Sequence, residues 1–182
     1  MFPPSEYNFV SLSPAEKSSL AVLNVAPMLC DVSSENIKSS IMEKVDGIIL
    51  NYKEAHKRNI QPDQYKTIAN SWLDTFMELH QLDYKSVGLS DLGKPDGYVE
   101  RQVTNWGKQY LKAATDNVPA ADMVMKWMQE HQPKEYQHCL IHNDYKYDNV
   151  VFADDTWQER RAVLDWEMCT LGDPLMDLGT SL

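Results

Sequence analysis

Residues 142–149 read His-Asn-Asp-Tyr-Lys-Tyr-Asp-Asn, so that an acid, Asp144, and an amide, Asn149, lie five positions apart. A second acid, Asp165, follows Asn149 by sixteen positions and ends a short apolar run. A carboxylate beside an acceptor hydroxyl can orient it and take its proton, while carboxylate and amide oxygens suit Mg²⁺. This spacing indicates phosphoryl transfer, with Asp144 at the hydroxyl and with Asn149 and Asp165 as metal ligands.

Two alternatives could account for the same residue types. Asp and Asn are favoured in turns and at strand ends, which accounts for any one of the three but poorly for the ordered set. A metal-dependent phosphohydrolase could use His142, Asp144 and Asp165, because such residues bind divalent transition metals. That function needs a second histidine cluster, and the spacing of the other histidines provides none (His56, His80, His131 and His138).

The elements that must position these residues can be read from apolar patterns. Short apolar runs at 138–142, 149–152 and 161–165 are separated by polar turns, which is typical of strands. Upstream, Pro62 opens a stretch in which apolar side chains recur at the spacing of one helix face. These are Tyr65, Ile68, Trp72, Phe76 and Leu79.

Two more helices are predicted before the strands. One follows a loop rich in Gly, Pro and Asp at 91–97, and the other begins at Pro119. Their apolar residues also recur at helical spacing, so we expect them to form a core with the first helix rather than a cofactor site. They are Val99, Val103, Trp106 and Tyr110 in one, and Met123, Val124, Trp127 and Met128 in the other.

The amino-terminal part has weaker patterns. Residues 14–23 predict a helix, with Ser13 as its cap and Glu16 completing a capping box. Residues 40–50 read as a strand, a turn at Asp46-Gly47 and a second apolar run. The chain is therefore expected to combine helices with a small β element, with its chemistry gathered in residues 142–177.

Composition excludes several classes of partner. Seventeen basic and 27 acidic residues give a net charge of −10, which argues against nucleic-acid or anionic-membrane partners and is compatible with a cationic substrate. No apolar run approaches the roughly 20 residues of a membrane span, and the first residues lack signal-peptide features, so we expect a cytoplasmic protein. The widely spaced Cys30, Cys139 and Cys169 are expected to be reduced thiols.

The order of the polar residues resembles a known family. H-x-D-x-x-x-x-N followed by a strand-ending Asp is the catalytic-loop pattern shared by protein kinases and aminoglycoside phosphotransferase-like enzymes. Leu-Asp-Trp-Glu at 164–167 and Leu-Gly-Asp-Pro-Leu-Met-Asp-Leu at 171–178 are similar to the second group, and D-F-G and A-P-E motifs are absent. The resemblance is particularly to the branch related to kinase-like domains fused to acyl-CoA dehydrogenases. It runs from about residue 40 to the end.

This resemblance implies a small-molecule kinase that uses ATP and Mg²⁺ and takes a small-molecule hydroxyl as its acceptor. Asp144 would be the catalytic base or hydroxyl-orienting acid, and Lys146 would approach the transferring phosphate. Asn149 and Asp165 would hold Mg²⁺ and, through it, the nucleotide. The hinge segment beside the adenine would consist of Met42, Glu43, Lys44 and Val45, whose backbone groups would recognise the base.

Three further residues receive supporting roles from the resemblance. His142 would brace the catalytic loop rather than transfer a proton. Asp173 and Asp177 would cap or brace the turn that follows the metal ligand, and Asp173 before Pro174 is also suited to cap a helix.

The sequence departs from the family pattern in two places. Asn143 stands where the family usually has glycine, and asparagine is the non-glycine residue that best tolerates left-handed backbone angles. No Gly-rich phosphate loop precedes residue 40, and Glu16, Lys17 and Lys38 are unsuited to form the family's lysine–glutamate pair. The chain is therefore expected to be a family member truncated at both ends.

These observations predict an α+β, protein-kinase-like fold, mostly its helical carboxyl-terminal lobe with the hinge. Residues 1–40 would be a remnant of the amino-terminal lobe and 41–50 the strand and hinge. Residues 51–182 would form a partial carboxyl-terminal lobe, with the catalytic loop at 142–149 and the metal-binding strand end at 165. The alternative to a kinase is a non-catalytic remnant that binds nucleotide or a partner without turnover. Neither the acceptor nor the oligomeric state follows from the sequence.

Overall fold

The structure, a computed structural model, describes residues 28–34, 37–42 and 44–181, with side chains from residue 44 onward. The helix predicted at 14–23 and the hinge residue Glu43 lie outside these residues. Strands β1 (Met28–Ser34) and β2 (Ile37–Met42) pair as an antiparallel hairpin. The strand predicted from residue 40 is therefore the end of β2, and a bend at Gly47 follows it.

Two small sheets carry the region of the predicted site. Strands β3 (Ile48–Ile49), β5 (Val150–Phe152) and β6 (Arg160–Val163) form an antiparallel sheet in the order β3-β5-β6. Strands β4 (Cys139–Ile141) and β7 (Thr170–Gly172) form a second antiparallel pair. All residues of β4 and β5 are buried. The segment 142–149 thus runs between two buried strands, which confirms the strands predicted around it.

Five helices surround these sheets in the described residues. They are α1 (Tyr52–Arg58), α2 (Pro62–Gln81), α3 (Tyr98–Ala113), α4 (Pro119–Glu130) and α5 (Pro174–Ser181). None of the helices found in the described part of the chain is long and apolar enough to cross a membrane. Proline stands in the first turn of α2 and α4, where its missing N–H costs nothing.

Helix α1 was not predicted, because it is short and lacks apolar periodicity. Its start is fixed by Asn51, whose side chain accepts the N–H of Glu54 at 2.9 Å. Its end is fixed by Asn59, which adopts the left-handed conformation at φ 48°.

The main core lies between α2 and the three-stranded sheet. Ile68, Trp72 and Phe76 of α2 pack in one cluster with Tyr145 and Phe152. The Trp72 and Tyr145 ring centroids are 4.7 Å apart, and the Tyr145 hydroxyl donates to the Trp72 backbone oxygen at 2.8 Å. Burial of aromatic rings dominates such a core. Tyr145 therefore ties the segment that carries the predicted chemistry directly to α2.

A second cluster joins α2 to the pair β4–β7. It contains Leu79, Leu89, Leu140 and Leu171. Cys139 of β4 is buried and Cys169 is partly buried, and both are free thiols. Burial raises the pKa of each to about 12, so both are unreactive at neutral pH. Of the three cysteines, Cys30 lies where side chains are not described.

The expectation that α3 and α4 contribute to the core is wrong for most of their apolar residues. In α3 only Tyr98 and Val99 are buried, and in α4 none is. Helical periodicity shows which face of a helix is apolar, but not whether another element packs on that face. Tyr65 of α2 is exposed as well. The exposed members of the predicted core are Tyr65, Trp106, Tyr110, Met123, Val124, Trp127 and Met128.

The close approach of β7 to β4 and α3 gives a test of the fold. A Cβ on Gly172 would lie 2.5 Å from Cδ1 of Ile141 and 2.9 Å from the Tyr98 ring. We expect Gly172→Ala to lower the free energy of unfolding by about 1–3 kcal/mol through overpacking. Urea unfolding followed by tryptophan fluorescence measures this change.

The matched control for that substitution is Gly179→Ala in α5. No atom lies within 4 Å of a Cβ at this exposed position. Alanine there should leave the free energy of unfolding unchanged or raise it by up to about 1 kcal/mol, as expected for glycine in a helix. Equal stability of the two variants would contradict the packing of β7 described above.

Candidate active site

The turn at 144–149 brings three of the predicted site residues into contact. The Asn149 side-chain amide donates to the backbone oxygen of Asp144 at 2.8 Å and to its Oδ2 at 3.1 Å. Lys146 Nζ donates to the same Oδ2 at 2.7 Å. A 3-10 turn at Tyr147–Asn149 makes this contact possible across five positions. Within the described residues no hydrogen-bond donor reaches Asp144 Oδ1.

Lys146 is an exposed cation surrounded by acids. The hydrogen bond to Asp144 raises the pKa of Lys146 above its ordinary value, and Asp165 and Asp148 add smaller effects in the same direction. Lys146 therefore stays protonated at neutral pH. An exposed ion pair of this kind adds little to stability. Its consequence is a fixed positive charge next to the Asp144 carboxylate.

Strands β5 and β6 bring Asn149 and Asp165 to the same end of their sheet. Val150 pairs with Val163, and one residue further the Leu164 N–H donates to the Asn149 backbone oxygen at 2.8 Å. Asp165 follows directly, is exposed, and has left-handed backbone angles of φ 64° and ψ 54°. Asp165 thus lies one residue beyond Leu164, the residue opposite Asn149, although sixteen positions separate the two predicted metal ligands in sequence.

The oxygens of these two residues suit Mg²⁺. Among the residues that the structure describes, no hydrogen bond reaches Asn149 Oδ1 or the Asp165 carboxylate. Protein sites commonly hold Mg²⁺ through one or two such oxygens, together with water and substrate phosphates. Residues 44–181 contain no group of three or more His, Cys, Asp or Glu side chains that could hold a metal ion.

His142 is fully buried and uses both ring nitrogens inside the protein. Nδ1 accepts the Asp144 N–H at 3.3 Å, so Nε2 carries the proton and donates to the Leu164 oxygen at 2.9 Å. Burial lowers the pKa of the imidazole below its ordinary value, which keeps it neutral. His142 therefore braces the loop, as predicted. With both nitrogens engaged it is unsuited to the metal ligation that a phosphohydrolase would require.

Asp177 of α5 holds the start of the predicted catalytic loop. Its Oδ1 accepts the Asn143 N–H at 2.7 Å, and its Oδ2 accepts the His142 N–H at 2.9 Å. Its Oδ2 also lies 2.9 Å from His80 Nε2 of α2. The carboxylate is completely buried. Asp177 thus acts on the catalytic loop, whereas the sequence placed its action at the turn after Asp165.

Asp173 caps α5, as its position before Pro174 predicted. Its Oδ1 accepts the Leu175 N–H at 2.9 Å, and its Oδ2 accepts the Gln137 N–H at 3.2 Å. The cap therefore also fixes the chain that enters β4. Asp173 thus holds the start of the segment 137–143, and Asp177 holds its end, directly before Asp144.

Asn143 occupies the left-handed region, as its residue type suggested, with φ 64°. Its side chain also makes two contacts that the sequence did not indicate. Oδ1 accepts the Tyr98 hydroxyl at 3.3 Å, and Nδ2 donates to the Met168 oxygen at 2.9 Å.

The described part of the predicted hinge contacts the three-stranded sheet through Val45 and through the segment beside it. Val45 packs against Val151 and Ala162. Lys44 is exposed and pairs with Asp46, whose backbone oxygen accepts Arg161 Nη1 at 2.8 Å. Met42 ends β2. The recognition of adenine by residues 42–45 stays a prediction.

His80 and Tyr98 are the supporting residues that the sequence interpretation missed. His80 follows Phe76 by four positions, so it lies on the apolar face of α2, where a polar group needs a partner. The position of His80 on that face could therefore have predicted that it has a buried polar partner. Nothing local distinguished Tyr98 from the other aromatic residues of α3.

Comparison with known proteins identifies the family to which this sequence is similar. Residues 18–182 match the sequence profile described as the phosphotransferase enzyme family. Acyl-CoA dehydrogenase family member 11 of Rattus norvegicus is 39% identical over 141 residues, which are 76% of this chain and 18% of the rat protein. The chain thus spans less than a fifth of that relative's length. The expected likeness to the acyl-CoA dehydrogenase branch is confirmed.

Solved structures confirm the fold. A crystal structure from Ralstonia eutropha JMP134, assigned as an aminoglycoside phosphotransferase, superposes with a TM-score of 0.78 at 34% identity. The match covers 91% of this chain and 51% of the bacterial one. A streptomycin–ATP–APH(2″)-IIa ternary complex has a TM-score of 0.53 at 20% identity over 90% of this chain and 58% of that chain, and shows the shared fold alone. The fold is the predicted α+β, protein-kinase-like one, and the chain belongs to the phosphotransferase enzyme family.

Proposed function

We propose that this chain carries the phosphoryl-transfer site of a small-molecule kinase, which moves the γ-phosphate of ATP to a hydroxyl group. The observation that carries the proposal is the environment of the Asp144 carboxylate. Oδ2 is held by Lys146 and Asn149, while Oδ1 has no donor among the described residues. A carboxylate fixed by one oxygen and open at the other is arranged to receive a hydroxyl proton.

Asp144 would orient the acceptor hydroxyl and take its proton. Its own position is fixed through the backbone, since its N–H donates to the buried His142 ring and its oxygen accepts the Asn149 amide. Such fixed placement of a catalytic group lowers the barrier by removing the need to organise it during the reaction.

The transferred phosphate and its Mg²⁺ would be bound by Lys146, Asn149 and Asp165. The Lys146 ammonium would neutralise charge on the transferring group, because it is cationic and exposed beside Asp144. Asn149 Oδ1 and the Asp165 carboxylate would be the protein ligands of Mg²⁺. Bound there, Mg²⁺ would supply charge neutralisation at the nucleotide phosphates.

The proposed acceptor is a hydroxyl group on a small molecule. In a solved structure that shares this fold at 20% identity, streptomycin is bound together with ATP, and we take a hydroxylated small molecule as the class of acceptor to test. The net charge of −10 on this chain is compatible with a cationic acceptor.

Metal-dependent nucleotide binding gives the first test. ATP with Mg²⁺ should raise the midpoint of thermal unfolding of the full chain, because a ligand that binds only the folded state stabilises it. Asp165→Asn should abolish most of this rise, since it weakens a proposed Mg²⁺ ligand. Differential scanning fluorimetry with ATP alone, Mg²⁺ alone and both measures it.

Asp155→Asn is the matched control for Asp165→Asn. Asp155 is also exposed, and it lies in the turn between β5 and β6. This variant should respond to MgATP as the parent does. A MgATP response that Asp165→Asn leaves intact would refute the assignment of Asp165 as a ligand.

Turnover tests the role of Asp144. Asp144→Asn should lower kcat for ADP release by about 10²–10⁴-fold, the usual contribution of a general base, while the stabilisation by MgATP remains. Streptomycin, simple sugars and hydroxyalkyl amines serve in turn as acceptor probes. Unchanged kcat in Asp144→Asn would refute the role. Stabilisation by MgATP without turnover of any probe would favour the non-catalytic alternative.

Lys146→Met tests the phosphate side of the site separately. Removal of the cation should lower kcat by about 10²-fold or more, as loss of one charge-stabilising donor does in other enzymes. Lys126→Met is the control, because Lys126 is an exposed lysine of α4 whose carboxylate neighbour, Glu130, is 3.9 Å away. Equal kcat values for the two variants would exclude Lys146 from catalysis.

A further inference from the structure

The catalytic loop contacts the metal-ligand turn on both sides of Asp165. On one side, His142 Nε2 donates to the backbone oxygen of Leu164 at 2.9 Å. On the other side, the side-chain amide of Asn143 donates to the backbone oxygen of Met168 at 2.9 Å. Two consecutive loop residues therefore hold the segment 164–168, in which Asp165 lies.

The turn after Asp165 is also anchored by Trp166, which packs against two core clusters and whose ring centroid lies 4.8 Å from that of His142. Asp165 has left-handed backbone angles and its side chain makes no cap hydrogen bond to the 3-10 turn Trp166–Met168. Inside the segment, the Cys169 N–H donates to the Trp166 oxygen at 3.1 Å, and Trp166 Nε1 donates to the Val163 oxygen at 2.8 Å. A non-glycine residue in a sparsely populated conformation persists only where its surroundings fix it.

The Asn143 amide is itself oriented by α3. Its Oδ1 accepts the hydroxyl of Tyr98, the first residue of α3, at 3.3 Å. An amide that accepts at Oδ1 presents Nδ2 as the donor, which matches the contact with Met168. The side chain thus links α3, the catalytic loop and the turn after Asp165.

The loop backbone does not depend on this side chain. The N–H groups of His142 and Asn143 are both held by the buried Asp177 carboxylate, at 2.9 and 2.7 Å. Glycine adopts positive φ without strain. A glycine could therefore adopt the same conformation at position 143. The asparagine adds a side-chain hydrogen bond to Met168 that glycine could not make.

We propose that Asn143 is a positioning residue that fixes the turn of Asp165 against the catalytic loop, and so sets the metal ligand Asp165 relative to the catalytic base Asp144. The metal part of this inference rests on the proposed function. The structural part, that the amide holds the turn, is measurable without any ligand.

Three variants separate the contacts. Asn143→Gly keeps the backbone conformation and removes both side-chain hydrogen bonds. Asn143→Asp keeps an acceptor for Tyr98 and tolerates positive φ, but it removes the donor to Met168. Tyr98→Phe removes the hydroxyl alone and leaves the ring packed beside β4 and β7.

The first measurement is amide hydrogen exchange of Cys169 in the ligand-free full chain, followed by NMR. Its N–H closes the turn, so loss of the Asn143 contact should speed its exchange. We expect about a 2- to 12-fold increase in Asn143→Gly and Asn143→Asp, the range for loss of one hydrogen bond, and a smaller increase in Tyr98→Phe. Exchange of amides in α2 serves as the reference for global stability.

The second measurement is the Mg²⁺ concentration that gives half of the maximal thermal stabilisation at saturating ATP. It should rise about 2- to 12-fold in Asn143→Gly and Asn143→Asp, in step with the exchange of Cys169.

The outcomes separate this inference from the proposed function. Unchanged Cys169 exchange in Asn143→Gly, or a rise matched by the α2 amides, overturns the inference, because the amide would then have no specific hold on the turn. A parent chain that does not respond to MgATP overturns the proposed function, and the exchange experiment still decides what Asn143 does. Faster Cys169 exchange with an unchanged Mg²⁺ requirement overturns the link to the metal ligand.

Discussion

The buried carboxylate of Asp177 is the constraint on which the site depends. Burial of an isolated carboxylate costs several kcal/mol, so the group is tolerated only with hydrogen-bond donors on its oxygens. Here the donors are the consecutive N–H groups of His142 and Asn143, with His80 Nε2 beside them. Two adjacent N–H groups on one carboxylate fix the direction of the chain immediately before Asp144. One side chain of α5 thereby joins α2, the end of β4 and the catalytic loop.

Residues 142–149 divide between anchoring and chemistry. His142, Tyr145 and Asn149 are buried, whereas Asp144 is partly exposed and Lys146 exposed. The buried members make hydrogen bonds to different elements. Tyr145 donates to Trp72 of α2, and the Asn149 backbone oxygen accepts the Leu164 N–H after β6. Asp144 and Lys146, the side chains proposed to react, therefore stand on a segment whose neighbours in sequence are fixed in the core. Such a segment can present charged groups to solvent without losing their relative geometry.

Local patterns predicted the parts of this arrangement that depend on neighbouring residues. The period of Ile68, Trp72 and Phe76 identified α2, and the residue type of Asn143 indicated its left-handed backbone. Contacts between residues that are distant in sequence could not be predicted from local patterns. His80 and Asp177 are 97 positions apart, and Tyr98 and Asn143 are 45 apart, so no window of the sequence contains either pair. The apolar face of α4 shows the converse error, since its periodicity is correct but Trp127 stays exposed, with its ring stacked on that of His131.

Charge balance explains why an amide and not a fourth acid suits position 149. Lys146 is the cation of a group that also contains Asp144, Asp148 and Asp165, all of which act on its pKa. These four side chains sum to a charge of about −2, which would repel the phosphates of a nucleotide. A ligand oxygen from Asn149 adds no further charge, and its NH₂ group offsets part of the charge on Asp144. If a nucleotide binds at this site as proposed, a divalent cation held by Asn149 and Asp165 would offset the repulsion between its phosphates and these acids.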